Sequence, residues 1–121
     1  MNNQNNKLEQ PLLSHRFRVH IPGDIENRIS NHIESCSIDY VNNEMHFVVR
    51  QPLVDSGFHE CIRRWNGYNI EIQHMDSQGV VVDTLLFHGL RNAHKFTMNY
   101  ADNKPAVHEI TFTGYFREVQ Q

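Results

Sequence analysis

Cysteine is nearly missing from this chain: Cys36 and Cys61 are the only two in 121 residues. Two thiols make no framework of disulfides, and Cys61 falls on the apolar side of a helical stretch. Both are expected as small buried thiols rather than a disulfide or a redox pair. Long apolar runs are missing too, and nothing approaches the roughly 20 residues that cross a bilayer as a helix. The opening MNNQNNKLEQ lacks the apolar core of a signal peptide, which predicts a cytoplasmic origin and no membrane insertion. Positive charge is in deficit, with 11 Lys and Arg against 14 Asp and Glu for a net charge of −3. That argues against nucleic-acid binding driven by a basic patch. A mildly acidic surface would still let a polyanion slide past without sticking.

The motifs of bond-making chemistry are also absent. No GxSxG, CxxC or HExxH occurs, and the six glycines form no phosphate-binding loop. Histidine is plentiful, with His15, His20, His32, His46, His59, His74, His88, His94 and His108. No pair has His-x-His spacing, and an expected bend between His88 and His94 leaves neither fixed relative to the other. Several histidines alternate onto strand faces opposite the apolar residues, where they face solvent or an interface. Asp76, Asp83 and Glu109 read better as a turn residue and exposed strand positions than as a carboxylate cluster. The expectation is no enzyme, with no catalytic residue, no metal and no cofactor.

What the chain does contain fits one soluble globular domain, at 39% hydrophobic and 21% charged residues. Met1 to Leu13, rich in Asn and Gln without periodicity, reads as a flexible arm, leaving residues 14–121 as the folded domain. Only QPLVDSGFHECIRRWNG, Gln51 to Gly67, reads convincingly as a helix. Val54, Phe58, Cys61, Ile62 and Trp65 share one face of a 3.6-residue period and form its expected core side. Pro52 suits the first turn and Gly67 the left-handed residue that ends a helix. Trp65 is expected as a core anchor.

Elsewhere the pattern alternates with a period of two, the mark of half-buried strands. Phe17, Val19 and Ile21 alternate with Arg16, Arg18 and His20. Cys36, Ile38 and Tyr40 form a second set, and Met45, Phe47 and Val49 a third. Asn42 and Asn43 lie between these two as a tight turn that tolerates positive φ. Ile25, Ile29 and Ile33 fit either a short helix or a connection with three anchors. Tyr68 to Gln73, Val80 to Phe87, Lys95 to Tyr100 and Val107 to Val119 read as further strands, with Asp76 to Gly79 a turn and Gly89 a bulge or bend. The predicted architecture is mainly β: an antiparallel sandwich or small barrel with one flanking helix. Thr97, Asn99, Thr111 and Thr113 give a polar, weakly charged strand face suited to lining a wet cavity or channel. Exposed strand edges need partners, and closing sheets between subunits supplies them.

The order of these elements resembles that of the tail-tube proteins of contractile-tailed bacteriophages, a family that shares its fold with the type VI secretion tube protein. The likeness runs from FRVHI, through IDYVNNEMHFVVRQP and the helix ending in Trp65, to IEIQHMDSQGVVVDTLLFHG and EITFTGYFREV. It spans about Ser14 to Val119, and its most specific piece is the strand–DxxG–strand unit after the helix. The resemblance implies hexameric rings whose sheets join into one barrel around a channel that passes DNA during ejection. It implies stacking of rings through the arm and the Asn42 and Asn43 hairpin, with tail sheath and baseplate proteins as partners. The place would be the virion tail, assembled in the host cytoplasm. The chain is shorter than many members and has no long insertions, so a tube-like baseplate or tube-initiator subunit is an alternative. A monomeric β-sandwich binding or adaptor module and a histidine-site metalloenzyme are the other classes weighed.

Overall fold

The computed structural model describes residues 17–53 and 57–120, with 91–93 and 120 described by backbone alone. The strands are β1 (Phe17–His20), β2 (Ile33–Asp39), β3 (Glu44–Arg50), β4 (Ile70–Met75), β5 (Val81–Asn99) and β6 (Val107–Gln120), and the helix is α1 (Phe58–Arg63). All pairings are antiparallel in one six-stranded sheet of order β1-β4-β5-β6-β3-β2. The protein is mainly β, as the alternation predicts. The arm assigned to Met1 to Leu13 lies outside the described residues.

The helix is much shorter than its periodicity suggests. It covers six residues, starts after Gly57 without a side-chain cap, and leaves Pro52 outside. Phe58, Ile62 and Trp65 are nevertheless buried, and Cys61 packs half-buried against them. Trp65 follows the helix, its N–H bonding to the Ile62 carbonyl at 3.1 Å. The period therefore marked a buried face correctly but overstated the length of regular helix. Val54 lies outside the described residues. Gly67 does take a left-handed φ of 74°, but Arg64 closes the helix. A Cβ at Gly67 would lie 2.7 Å from Cδ1 of Phe112, so glycine there admits the Phe112 ring as well as the turn.

The connection after β1 contains two 3-10 turns, Ile25–Asn27 and Ser30–His32. The Asp24 carboxylate ties it down by accepting the N–H groups of Ile29 and Ser30. Of its three candidate anchors, Ile29 is buried, Ile33 half-buried and Ile25 exposed.

A second difference concerns β5. The two runs predicted as Val80 to Phe87 and Lys95 to Tyr100 merge, but for Val80 and Tyr100 at their outer ends, into one 19-residue strand broken in register between Gly89 and His94. Gly89 faces Gly114 across the ladder, and its N–H bonds to the Gly67 carbonyl at 2.8 Å. A Cβ on Gly114 would sit 2.0 Å from the His88 carbonyl oxygen. The strands can approach this closely only because neither residue has a side chain. The expected bend at Gly89 is thus present, but it bends a strand instead of ending one.

This bend explains how the core is covered. A six-residue helix is about 9 Å long, too short to cover a sheet face. Yet Met45, Phe47, Val49, Ile70, Ile110 and Phe112 are fully buried, in one cluster with Val19, Ile72, Leu85 and Phe87. The sheet therefore folds over itself at the glycines. One half comprises β1, β4 and the near parts of β5 and β6; the other comprises the far part of β5, the start of β6, β3 and β2. Trp65 fills the bend, its ring centroid 4.8 Å from Phe47 and 4.9 Å from Phe112. At the opposite corner, β1 and the start of β2 border a groove of about 840 Å³ lined by Phe17, Val19, Ser30, Asn31, Ile33 and Glu34.

Candidate functional site: a polar face between open edges

The second half of the sheet has four strands in the order β5-β6-β3-β2, and their register fixes which side chains share a face. Residues directly opposite in an antiparallel pair point the same way. The rows Cys36–Phe47–Ile110–Phe96 and Ile38–Met45–Phe112–His94 face the core. The intervening rows are Asp39–Glu44–Thr113, Ser37–His46–Thr111–Lys95, Ser35–Val48–Glu109–Thr97 and Arg50–Val107–Asn99. Thr97, Asn99, Thr111 and Thr113 thus occupy one face together. Thr97 and Asn99 are exposed, while Thr111 and Thr113 are half-buried.

The face also carries a side-chain network that sequence reasoning did not name. His46 Nδ1 lies 2.8 Å from Thr111 Oγ1 and Nε2 lies 3.1 Å from Glu109 Oε1. A carboxylate only accepts, so Nε2 carries a proton, and on a neutral ring Nδ1 accepts from the threonine hydroxyl. The Asn99 amide donates to the other oxygen of Glu109. Beside them Arg50 pairs with Glu34. Alternation along Glu44 to Arg50 already put His46 opposite the core; its partners on β6 required the register. Asp39, Glu109 and Arg50 are thus met by neighbours, while Glu44 and Lys95 stand on the face outside this network.

Both outer strands of this half have an open side. Among the described residues, β2 pairs only with β3, and β5 beyond His94 pairs only with β6. At the β2–β3 tip, Asn43 has a φ of 55°. The Asp39 carboxylate accepts from Val41 N at 3.0 Å, Asn42 N at 3.1 Å and Asn42 Nδ2 at 2.8 Å. Hydrogen bonds from the Asn42 N–H, the Asn42 amide and the Val41 N–H hold the Asp39 carboxyl below its ordinary range. These hydrogen bonds brace the tip, which exposes Tyr40 and Val41.

The remaining candidates are dispersed. Asp76 organises its turn, accepting from Gln78 N and Val80 N; Asp83 lies 2.5 Å from His74 on the other half of the sheet; Glu109 belongs to the network above. Among the described residues no three His, Cys, Asp or Glu side chains form a metal-binding group. His108 departs from the solvent-facing pattern: it is buried and lies 2.6 Å, through Nε2, from Gln51 Oε1. Burial, followed by the nearby His59, lowers its pKa. Cys36 and Cys61 form no disulfide among the described residues and are half-buried, and burial pushes the Cys36 thiol up to about 11. No described helix is long and apolar enough to cross a membrane. No family model and no curated protein sequence matches the chain.

Proposed function

We propose that this chain is a structural subunit that continues its sheet from copy to copy into a ring, and that it serves as a tail-tube-type protein with a polar channel. One observation carries this reading: the half-sheet β5-β6-β3-β2 is open on both outer edges among the described residues and polar on the side away from the core. Four alternating antiparallel strands place β2 and the far part of β5 in opposite directions. The β2 edge of one copy can therefore meet the β5 edge of the next as another antiparallel pair, with no change in the pattern.

Closing such a ring turns Thr97, Asn99, Thr111, Thr113 and the His46–Glu109 network toward the enclosed space. The face carries hydroxyls, amides and three acidic residues, Asp39, Glu44 and Glu109, against two basic ones, Arg50 and Lys95, so phosphates find no net positive charge there and DNA would pass without being held. Tail sheath and baseplate proteins are the partners of this reading, and a baseplate or tube-initiator subunit its close variant. Sedimentation and negative-stain microscopy of the purified chain test it: rings are the expected outcome, and a strict monomer at high concentration rejects it. The groove beside β1 favours a second reading, a monomeric binding module, which predicts a stoichiometric complex without self-association.

A further inference from the structure

On the half of the sheet built from β1, β4 and the near parts of β5 and β6, the side turned from the core carries a cross-strand row. It runs His20–Glu71–Leu86–Arg117, one residue from each strand. Beside it stands the pair His88–Tyr115, and Asn69 Oδ1 lies 3.2 Å from His88 Nδ1. Pro22, Asn69, Glu71, Leu86, Tyr115 and Arg117 bound a hollow of about 360 Å³, within the size range of small-ligand sites.

The charges of this hollow differ from those around it. Arg18, two residues from His20 on the same strand, donates to Gln73 Oε1 at 2.9 Å. Among the described residues, neither Glu71 nor Arg117 has a hydrogen bond or an ion pair of its side chain. Two strand spacings set their backbones about 10 Å apart, and the apolar Leu86 stands between them. The neighbouring rings offer apolar faces. Tyr115 is 64% exposed and touches no other ring, while Tyr68 lies flat on His88 with centroids 4.9 Å and planes 5° apart. A carboxylate only accepts and a guanidinium only donates. A phosphate or sulfate here would meet Glu71 as a like charge, and a simple amine would meet Arg117 as one. A molecule carrying both charges meets neither penalty.

We propose that this hollow binds a zwitterionic small molecule of the α-amino-acid type. Its ammonium lies on Glu71, its carboxylate on Arg117, and its apolar side chain over Leu86 against Tyr115. A charge-assisted hydrogen bond at each end, with the amino-acid head between them, spans about 9 Å, which matches the gap. The planar fork of Arg117 suits a carboxylate in particular. The hollow is on the other half of the sheet from the polar face, so it stands or falls independently of the ring reading.

Equilibrium dialysis of the full chain against radiolabelled L-phenylalanine tests the site, whether the chain is single or assembled. Saturable binding is expected. N-acetylphenylalanine, which lacks the ammonium, and phenylalaninamide, which lacks the carboxylate, should each compete about tenfold more weakly than phenylalanine. Glu71→Gln should erase only the preference over N-acetylphenylalanine, and Arg117→Gln only the preference over phenylalaninamide, with circular dichroism confirming the native fold of both variants. No saturable binding up to the solubility limit, equal competition by all three compounds, or binding unchanged in both variants overturns the proposal. Displacement by lactose as effective as by phenylalanine also overturns it, since the hollow would then take an uncharged polyol.

Discussion

Gly114 has no room for a side chain, since a Cβ there would lie 2.0 Å from the His88 carbonyl oxygen and 2.9 Å from Gly89 Cα. Both are backbone atoms and cannot rotate away. Gly114→Ala should therefore cost about 3 kcal/mol, near the top of the usual overpacking range, read as a lower urea midpoint. Trp65 is the complementary case, a large ring in the same bend. Trp65→Ala is expected to cost roughly 3–5 kcal/mol. Its indole N–H is buried without a hydrogen-bond partner, so Trp65→Phe should cost clearly less in the same titration. His108 gives a pH dependence. Its folded pKa is depressed by burial first and by His59 second, so the unfolded chain takes up this proton more readily. The stability it contributes is full above its unfolded pKa, about 6.5, and is lost as pH falls through the lower folded value. The urea midpoint should drop from pH 7.5 to pH 5.5, and the drop should be smaller in His108→Gln.

At the scale of elements, the ladder ranks local stability. The first half of β6 is bonded on both sides, by β3 and β5, whereas a six-residue helix has little stability of its own. Hydrogen exchange should therefore find the amides of Val107–Thr113 the slowest and those of α1 opening well before global unfolding. The same contrast explains what was legible in the sequence. Strand alternation is local, so Met45, Phe47 and Val49, or Ile110 and Phe112, announce their face directly. The helix was overread because Phe58, Ile62 and Trp65 keep a helical spacing although Trp65 is held beyond the helix end by core packing. The unity of β5 was hidden because Gly89 looks like a terminator, and only its pairing with Gly114 makes it a bend. Thr97, Asn99, Thr111 and Thr113 could be recognised as a polar face, and Glu109 shares the alternation of Thr111 and Thr113, while the contacts of His46 with Thr111 and Glu109 and of Asn99 with Glu109 depend on a register that no single strand encodes.

At the scale of the whole molecule, the proposed channel can be challenged through its charge. Thr111→Lys with Thr113→Lys adds two cations per copy to the polar face. Assemblies of that variant should retain DNA in a filter-binding assay and release it as salt rises, whereas unaltered assemblies should not retain it. Retention equal in both would place these residues elsewhere than on the channel wall. The strand order has a further consequence, in time. β6 is made after the other five described strands, yet it lies between β5 and β3 and joins the two halves of the sheet. During synthesis the β2–β3 hairpin and the β1–β4–β5 group have no ladder connecting them until β6 has emerged. The four-stranded face is completed only by this late strand, so a chain still on the ribosome lacks the face through which the proposed ring would close, and that ring can draw only on copies whose β6 is in place.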